Sequence, residues 1–309
     1  MELFNLFESC VAECQKNKLD TNESVLIVSK KLKSLDTEQF CKLLELTGYL
    51  PDLYAHDGSE ETLYSKFVEV VVCEWAHRVG FEESFLPSQK SGTEDIAIMD
   101  KDNVIVADAK SFRLSRSQAA PNPKDVIKVD DYKNWIKKYD DKIKLGGLAT
   151  FPQLHEWKKS SKVHMDLTNK DNKIVWFYYG HLSAVLKFQI SKSKIINFYN
   201  SYGEMFPKQI VPKDNPKDKY LLMLKNYIFN DHIEEYEKYM NSLNQVNALI
   251  KKMALEKIDE EIDNVQKEIF ETIHSFEDID KLKKYVINLQ KKESTKELQR
   301  LRENVIKFR

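Results

Sequence analysis

Thr93-Glu94-Asp95-Ile96-Ala97-Ile98-Met99-Asp100-Lys101-Asp102-Asn103-Val104-Ile105-Val106-Ala107-Asp108-Ala109-Lys110 is the stretch on which the fold turns. Two apolar runs flank the polar tetrad Asp100 to Asn103, which predicts two strands joined in a hairpin. A turn centred between Lys101 and Asp102 sets Asp95 opposite Asp108. Directly opposed side chains share a face, with Cβ atoms about 5 Å apart, and the strand period of two puts Lys110 on that face as well. Carboxylates this close beside apolar strands repel and raise each other's pKa unless a cation lies between them. Oxygen ligands favour a hard ion, Mg²⁺ first, because it tolerates an open site that retains waters and a phosphate oxygen. Such an ion polarises a phosphodiester, while a nearby lysine orients or deprotonates the water and offsets the developing charge. The competing reading of the same residues is an ordinary exposed hairpin with surface charges. Asp-x-Lys triplets also begin at Asp131, Asp140 and Asp171, but only the one at Asp108 ends an apolar strand with an acid mirrored across a turn.

Around the hairpin the texture changes twice. Residues 1–50 carry apolar side chains at spacings of three and four (Leu3, Leu6, Phe7, Val11; Val25, Val28, Leu32; Phe40, Leu43, Leu44), which predicts short amphipathic helices. A stronger helix follows, with Ser59 as its expected N-cap and its end near Gly80. Residues 51–212 form the expected core. Strands are predicted over Ile96 to Met99, Val104 to Ala109, Leu145 to Phe151 and Ile174 to Tyr179, and helices around residues 130–139 and 182–188, giving an α/β core with a mixed sheet. In residues 213–309, Gly and Pro vanish beyond Pro216 and Lys, Glu, Leu and Ile dominate, as expected of long scaffolding or subunit-contact helices.

Composition narrows the function classes. The 309 residues carry 48 Lys and Arg against 49 Asp and Glu, so a net charge of −1 excludes a uniformly basic nucleic-acid binder and any basic surface must be local. No apolar run approaches the roughly 20 residues of a membrane span, and the start lacks the pattern of a secretory leader, so a cytoplasmic protein is expected. Cys10, Cys14, Cys41 and Cys73 have no partners at zinc spacing and read as reduced thiols. The seven histidines show no metal-binding spacing, and the eight glycines form no phosphate-binding loop.

The run Val106-Ala107-Asp108-Ala109-Lys110-Ser111-Phe112-Arg113-Leu114-Ser115-Arg116 resembles the PD-(D/E)xK nucleases, and closely the HindIII type of type II restriction endonuclease. Weaker similarity reaches back through Leu50-Pro51 and residues 61–66 and forward to residues 175–182. Within this resemblance Asp95 and Asp108 bind metal, the carbonyl of Ala109 is a further ligand and Lys110 is the catalytic lysine. Glu94 replaces the family's Pro before the first acid. Glu61 matches the acid that often completes such sites, and reads equally well as a first-turn Glu favoured by the helix dipole. After Lys110 comes a stretch with few acids. Arg113, Arg116, Lys124 and Lys128 are its cations, Ser115 and Ser117 add hydroxyls, and Ala120, Asn122 and Asp125 match base-reading positions. A merely solvated, proline-containing loop is the alternative there. The resemblance further implies an Mg²⁺ enzyme (Mn²⁺ substituting) in a prokaryotic cytoplasm, acting as a homodimer on palindromic double-stranded DNA, specificity for AAGCTT cut after the first A, and a companion DNA methyltransferase. Rival expectations are a repair or junction-resolving nuclease of the same fold, and a non-catalytic DNA-binding helical scaffold.

Overall fold

The computed structural model describes residues 3–88, 92–115, 126–154, 157–208, 215–276 and 278–307. Its chain divides into two compact units, residues 1–254 and 255–309.

In the first unit three helices open the chain, α1 (Leu6–Lys16), α2 (Thr21–Ser34) and α3 (Thr37–Leu46). Asp20 and Asp36 begin the second and third with reciprocal capping boxes, in which each aspartate accepts from the N3 amide while the Glu23 or Gln39 side chain accepts from the cap amide. α4 (Ser59–Val79) is the long central helix, whose middle, with Phe67, Val71 and Trp75, lies in the core. Its N-cap is Gly58 rather than the expected Ser59. A turn in which the Gly58 amide donates to Ala55 O starts the helix one residue sooner, so Ser59 is already helical. Gly80 ends it as expected, in the left-handed conformation (φ 104°) that glycine adopts without a Cβ penalty.

The sheet has four strands in sequence order, β1 (Ile96–Met99), β2 (Asn103–Ala109), β3 (Ile143–Phe151) and β4 (Ile174–Tyr178). β1 and β2 are antiparallel and pair Ile96 with Ala107 and Met99 with Val104, the register expected from the turn position. β3 lies parallel to β2 and β4 parallel to β3, so the sheet is mixed. The hairpin is closed by Asp100, whose carboxylate accepts from the amides of Asp102 and Asn103 at 2.9 and 2.8 Å and meets Lys192 Nζ at 2.9 Å. The crossovers are α5 (Val129–Trp135) between β2 and β3 and α6 (Lys162–Leu167) between β3 and β4. Tyr179, expected in the last strand, instead opens α7 (Tyr179–Lys187), followed by α8 (Lys192–Asn200) and α9 (Tyr202–Met205). The unit continues through α10 (Pro216–Ile228) into α11 (Ile233–His274), past the boundary expected at residue 212. The physical reason is burial: Tyr220, Leu224, Ile228 and Leu243 belong to the core, and Tyr220 Oη donates to Trp176 O and accepts from Trp176 N within β4.

The second unit holds the remainder of α11 and α12 (Ile279–Lys307). Among the described residues no helix is long and apolar enough to cross a membrane, and all four cysteines are buried free thiols.

Candidate active site

The end of β2 delivers Asp108 and Lys110 to one face, as strand alternation requires. Lys110 Nζ lies 2.6 Å from Asp108 Oδ2. Asp95 stands just before β1, where its amide donates to Ala107 O at 3.0 Å and its Oδ2 accepts from the Ala109 amide at 3.0 Å. Asp95, Asp108 and Lys110, the three residues on which the sequence reading depends, therefore converge. The strand end is held by its neighbours: Lys110 N donates to Thr150 O on β3, and Tyr179 Oη donates to Lys110 O at 2.8 Å. A cavity of about 170 Å³ opens over the group, lined by Asp95, Asp108, Lys110, Lys128, Asp131 and Tyr132 among others.

Tyr132 approaches from α5, its hydroxyl 3.4 Å from Asp108 Oδ2. Its ring lies over Gly147 of β3, where a Cβ would come 2.3 Å from Tyr132 Cδ1, so a glycine in this strand is what lets the phenol reach the carboxylate.

Electrostatics set the protonation of the group. Burial, then the charge of Asp108, hold Asp95 well above the usual carboxylate range. Burial alone would depress Lys110, but the charges of Asp108 and Asp95 outweigh it and raise its pKa, so it remains an ammonium at neutral pH. Glu69, not singled out by the sequence, is pushed up to about 7, chiefly by burial, against the lowering influence of its partner Lys66 and with a further rise from Asp108.

Glu69 belongs to a ladder of contacts between α4 and the chain leaving β2. Glu61 pairs with Arg113 at 2.7 Å, Ser65 Oγ meets Ser111 Oγ at 3.1 Å, and Glu69, one turn further on, feels Asp108 and Lys110. The i, i+4, i+8 spacing that places all three on one helix face was the available signal. Glu61, the acid matched from sequence, sits at the far end of this ladder; its carboxylate also accepts from the Asp57 amide. The structure couples Glu69, not Glu61, to the carboxylate pair.

Arg113 corrects a second expectation. Its side chain is 6% exposed and turned inward, donating to the carbonyls of Pro51, Asp52 and Tyr54 and to Glu61. A guanidinium with this many acceptors is a clamp on the 51–55 loop, not a surface cation offered to DNA. Ser115 is exposed, with its amide donating to Asp52 Oδ1. Lys128 is exposed at the cavity edge, where a phosphate-binding cation would be useful. Arg116, Ser117, Ala120, Asn122, Lys124 and Asp125 lie outside the described residues. Glu94 is buried away from solvent, accepting from Tyr139 Oη and lying 3.6 Å from Lys138 Nζ.

The donor set fits a hard divalent ion. Two buried carboxylates of which one raises the pKa of the other need either a proton or a cation to relieve their repulsion. Among the described residues no group of three acid, imidazole or thiol side chains could hold an ion unaided. An ion held by the pair would need further oxygens, of which the Ala109 carbonyl is the nearest in sequence.

The model of the HindIII restriction endonuclease family matches residues 5–199, well over half the chain. No curated protein matches it.

Proposed function

The chain belongs to the HindIII restriction endonuclease family and has its α/β restriction-endonuclease-like fold, and we propose that it is a type II enzyme using Asp95, Asp108 and Lys110 to hydrolyse phosphodiester bonds in double-stranded DNA. The observation that carries this reading is the contact of Lys110 with Asp108 beside a second buried carboxylate, Asp95, all three lining one cavity.

Asp95, Asp108 and the carbonyl of Ala109 would hold Mg²⁺, with Mn²⁺ as a substitute. Such an ion would supply polarisation of the scissile phosphate and a more acidic water. Lys110, ionised at neutral pH, offsets negative charge developing on the phosphate oxygens and orients the water. Asp95, whose pKa is raised, would give up its proton to a cation bound there, and Glu69, with a pKa of about 7, exchanges a proton in the working range. Lys128 supplies a cation for the DNA backbone at the cavity edge.

The family likeness of residues 106–116 supports AAGCTT as the recognition sequence, cut after the first A, and base reading by the segment around Ala120, Asn122 and Asp125. A palindromic site calls for a two-fold homodimer with one active site per strand. A companion methyltransferase would protect host DNA in the same prokaryotic cytoplasm.

The test is digestion of a plasmid of known sequence with Mg²⁺, followed by sequencing of the ends. Discrete fragments with AGCT 5′ overhangs are expected. Discrete fragments ending elsewhere would replace the specificity alone, structure-dependent nicking would favour a repair or junction-resolving enzyme, and no cleavage with either Mg²⁺ or Mn²⁺ would remove the nuclease reading.

A further inference from the structure

The second compact unit, residues 255–309, lies outside the matched family region. On α11 the residues Leu255, Ile258, Ile262, Val265 and Ile269 recur at alternating spacings of three and four, the a and d positions of a coiled-coil seam. On α12 the residues Ile279, Leu282, Val286 and Leu289 repeat the pattern. Ile258 and Leu282 are half-buried and the other seam residues are exposed. Every residue from 261 to 270 is exposed, with Ile262 at 48%, Val265 at 44% and Ile269 at 45%, and Val286 and Leu289 are exposed to a similar degree. Apolar seams of this kind on a helix mark an interaction site.

Charge identifies what fits them. Residues 255–274 carry seven acids against two lysines, whereas residues 279–296 carry six lysines against two acids. Beside the α11 seam stand Asp259, Glu261 and Glu268. Beside the α12 seam stand Lys283 and Lys292, at the equivalent e and g positions. An α11 seam therefore repels another α11 seam and attracts an α12 seam. Pairing the two along their length within one chain would cover both, and in the structure Ile262, Val265, Ile269, Val286 and Leu289 remain exposed.

We propose that these helices are the interface between two copies of the chain, with α11 of each copy packing against α12 of the other. Two such contacts related by a two-fold axis make an isologous four-helix assembly in which residue i meets j and j meets i. The proposal assigns a surface to the homodimer of the preceding section, and it is tested by mass, independently of cleavage.

The experiment is sedimentation equilibrium on the full chain at micromolar concentration. One variant reverses the acidic edge (Asp259→Lys, Glu261→Lys, Glu268→Lys) and a second reverses the basic edge (Lys283→Glu, Lys292→Glu). The wild type is expected to have dimer mass, and each variant alone to dissociate at least about tenfold more readily, at unchanged helical circular dichroism. An equimolar mixture of the two variants is expected to regain dimer mass, because each reversed α11 then meets an oppositely reversed α12. Ile262→Asp with Ile269→Asp should also yield monomers. A monomeric wild type, reversed variants that dimerise like the wild type, or a mixture that stays monomeric would each overturn the proposal. Reversal of the basic edge that weakens duplex binding and leaves the mass unchanged would overturn it in favour of a DNA contact for α12.

Discussion

Glu61 and Glu69 occupy one face of α4 two turns apart, about 12 Å along the axis, and the difference decides their roles. Glu69→Gln is expected to lower the single-turnover cleavage rate by at least about tenfold while duplex binding in a gel-shift assay is retained. Glu61→Gln should leave the chemical step within a few-fold of wild type, and equal losses for the two would contradict the assignment. Arg113→Ala removes the partner of a nearly buried ion pair and leaves several carbonyls without their donor. A loss of about 3 kcal/mol of unfolding free energy in urea is expected, whereas a value under about 0.5 kcal/mol would mean a surface arginine. Neither feature could be read from the chain alone. Charged side chains are almost never fully buried unless paired, so Arg113 beside a predicted DNA-reading segment reads as a phosphate contact. The choice between Glu61 and Glu69 depends on how α4 is placed against the end of β2, which its own sequence does not specify.

At the scale of elements the register of the β1–β2 hairpin was legible, from the Ile96–Ala107 pair to Met99–Val104. A polar tetrad between two apolar runs leaves one register in which Asp95 opposes Asp108, and a shift of one residue would have turned the whole apolar set to the wrong face. The start of α7 was less legible: Tyr179 follows an unbroken apolar run, so strand and helix could not be separated there by periodicity. The hairpin's own closure is testable by pH. Asp100 is buried, which would raise its pKa, yet the Lys192 ammonium and the amides of Asp102 and Asn103 bring it down to about 2. A carboxylate with a depressed folded pKa adds stability that is fully present above its unfolded value near 3.8 and is lost as pH falls toward 2. Wild-type stability should therefore drop by about 2 kcal/mol from this group over that window. Asp100→Asn should flatten that part of the profile, and an unchanged acid limb in the variant would contradict the assignment.

For the whole molecule, the neutral overall charge conceals strong local separation: an acid-rich cavity mouth in the first unit and oppositely charged helices in the second. Composition excluded a uniformly basic surface, but only the structure locates where the acids gather. The raised carboxylates give this a thermodynamic sign. Asp95 and Glu69 have folded pKa values above their unfolded ones, so in the ion-free protein they favour folding at low pH and lose that contribution as pH rises, for Glu69 through about 7. A divalent ion competes with those protons, so its stabilising effect must grow over the same range. Mg²⁺ is expected to raise the thermal midpoint more at pH 8 than at pH 6, and Asp95→Asn with Asp108→Asn should abolish the difference. A rise independent of pH, or unaffected by the double substitution, would place the ion elsewhere.

The most direct measurement is single-turnover cleavage of a duplex containing AAGCTT in Mg²⁺, by the wild type, Asp108→Ala and Lys110→Ala, with duplex binding measured alongside in Ca²⁺. The account predicts cleavage by the wild type that EDTA abolishes, rates lower by at least about 10²-fold in each variant, and binding retained in both. Cleavage that survives EDTA, or variants that cut as fast as the wild type, would contradict it.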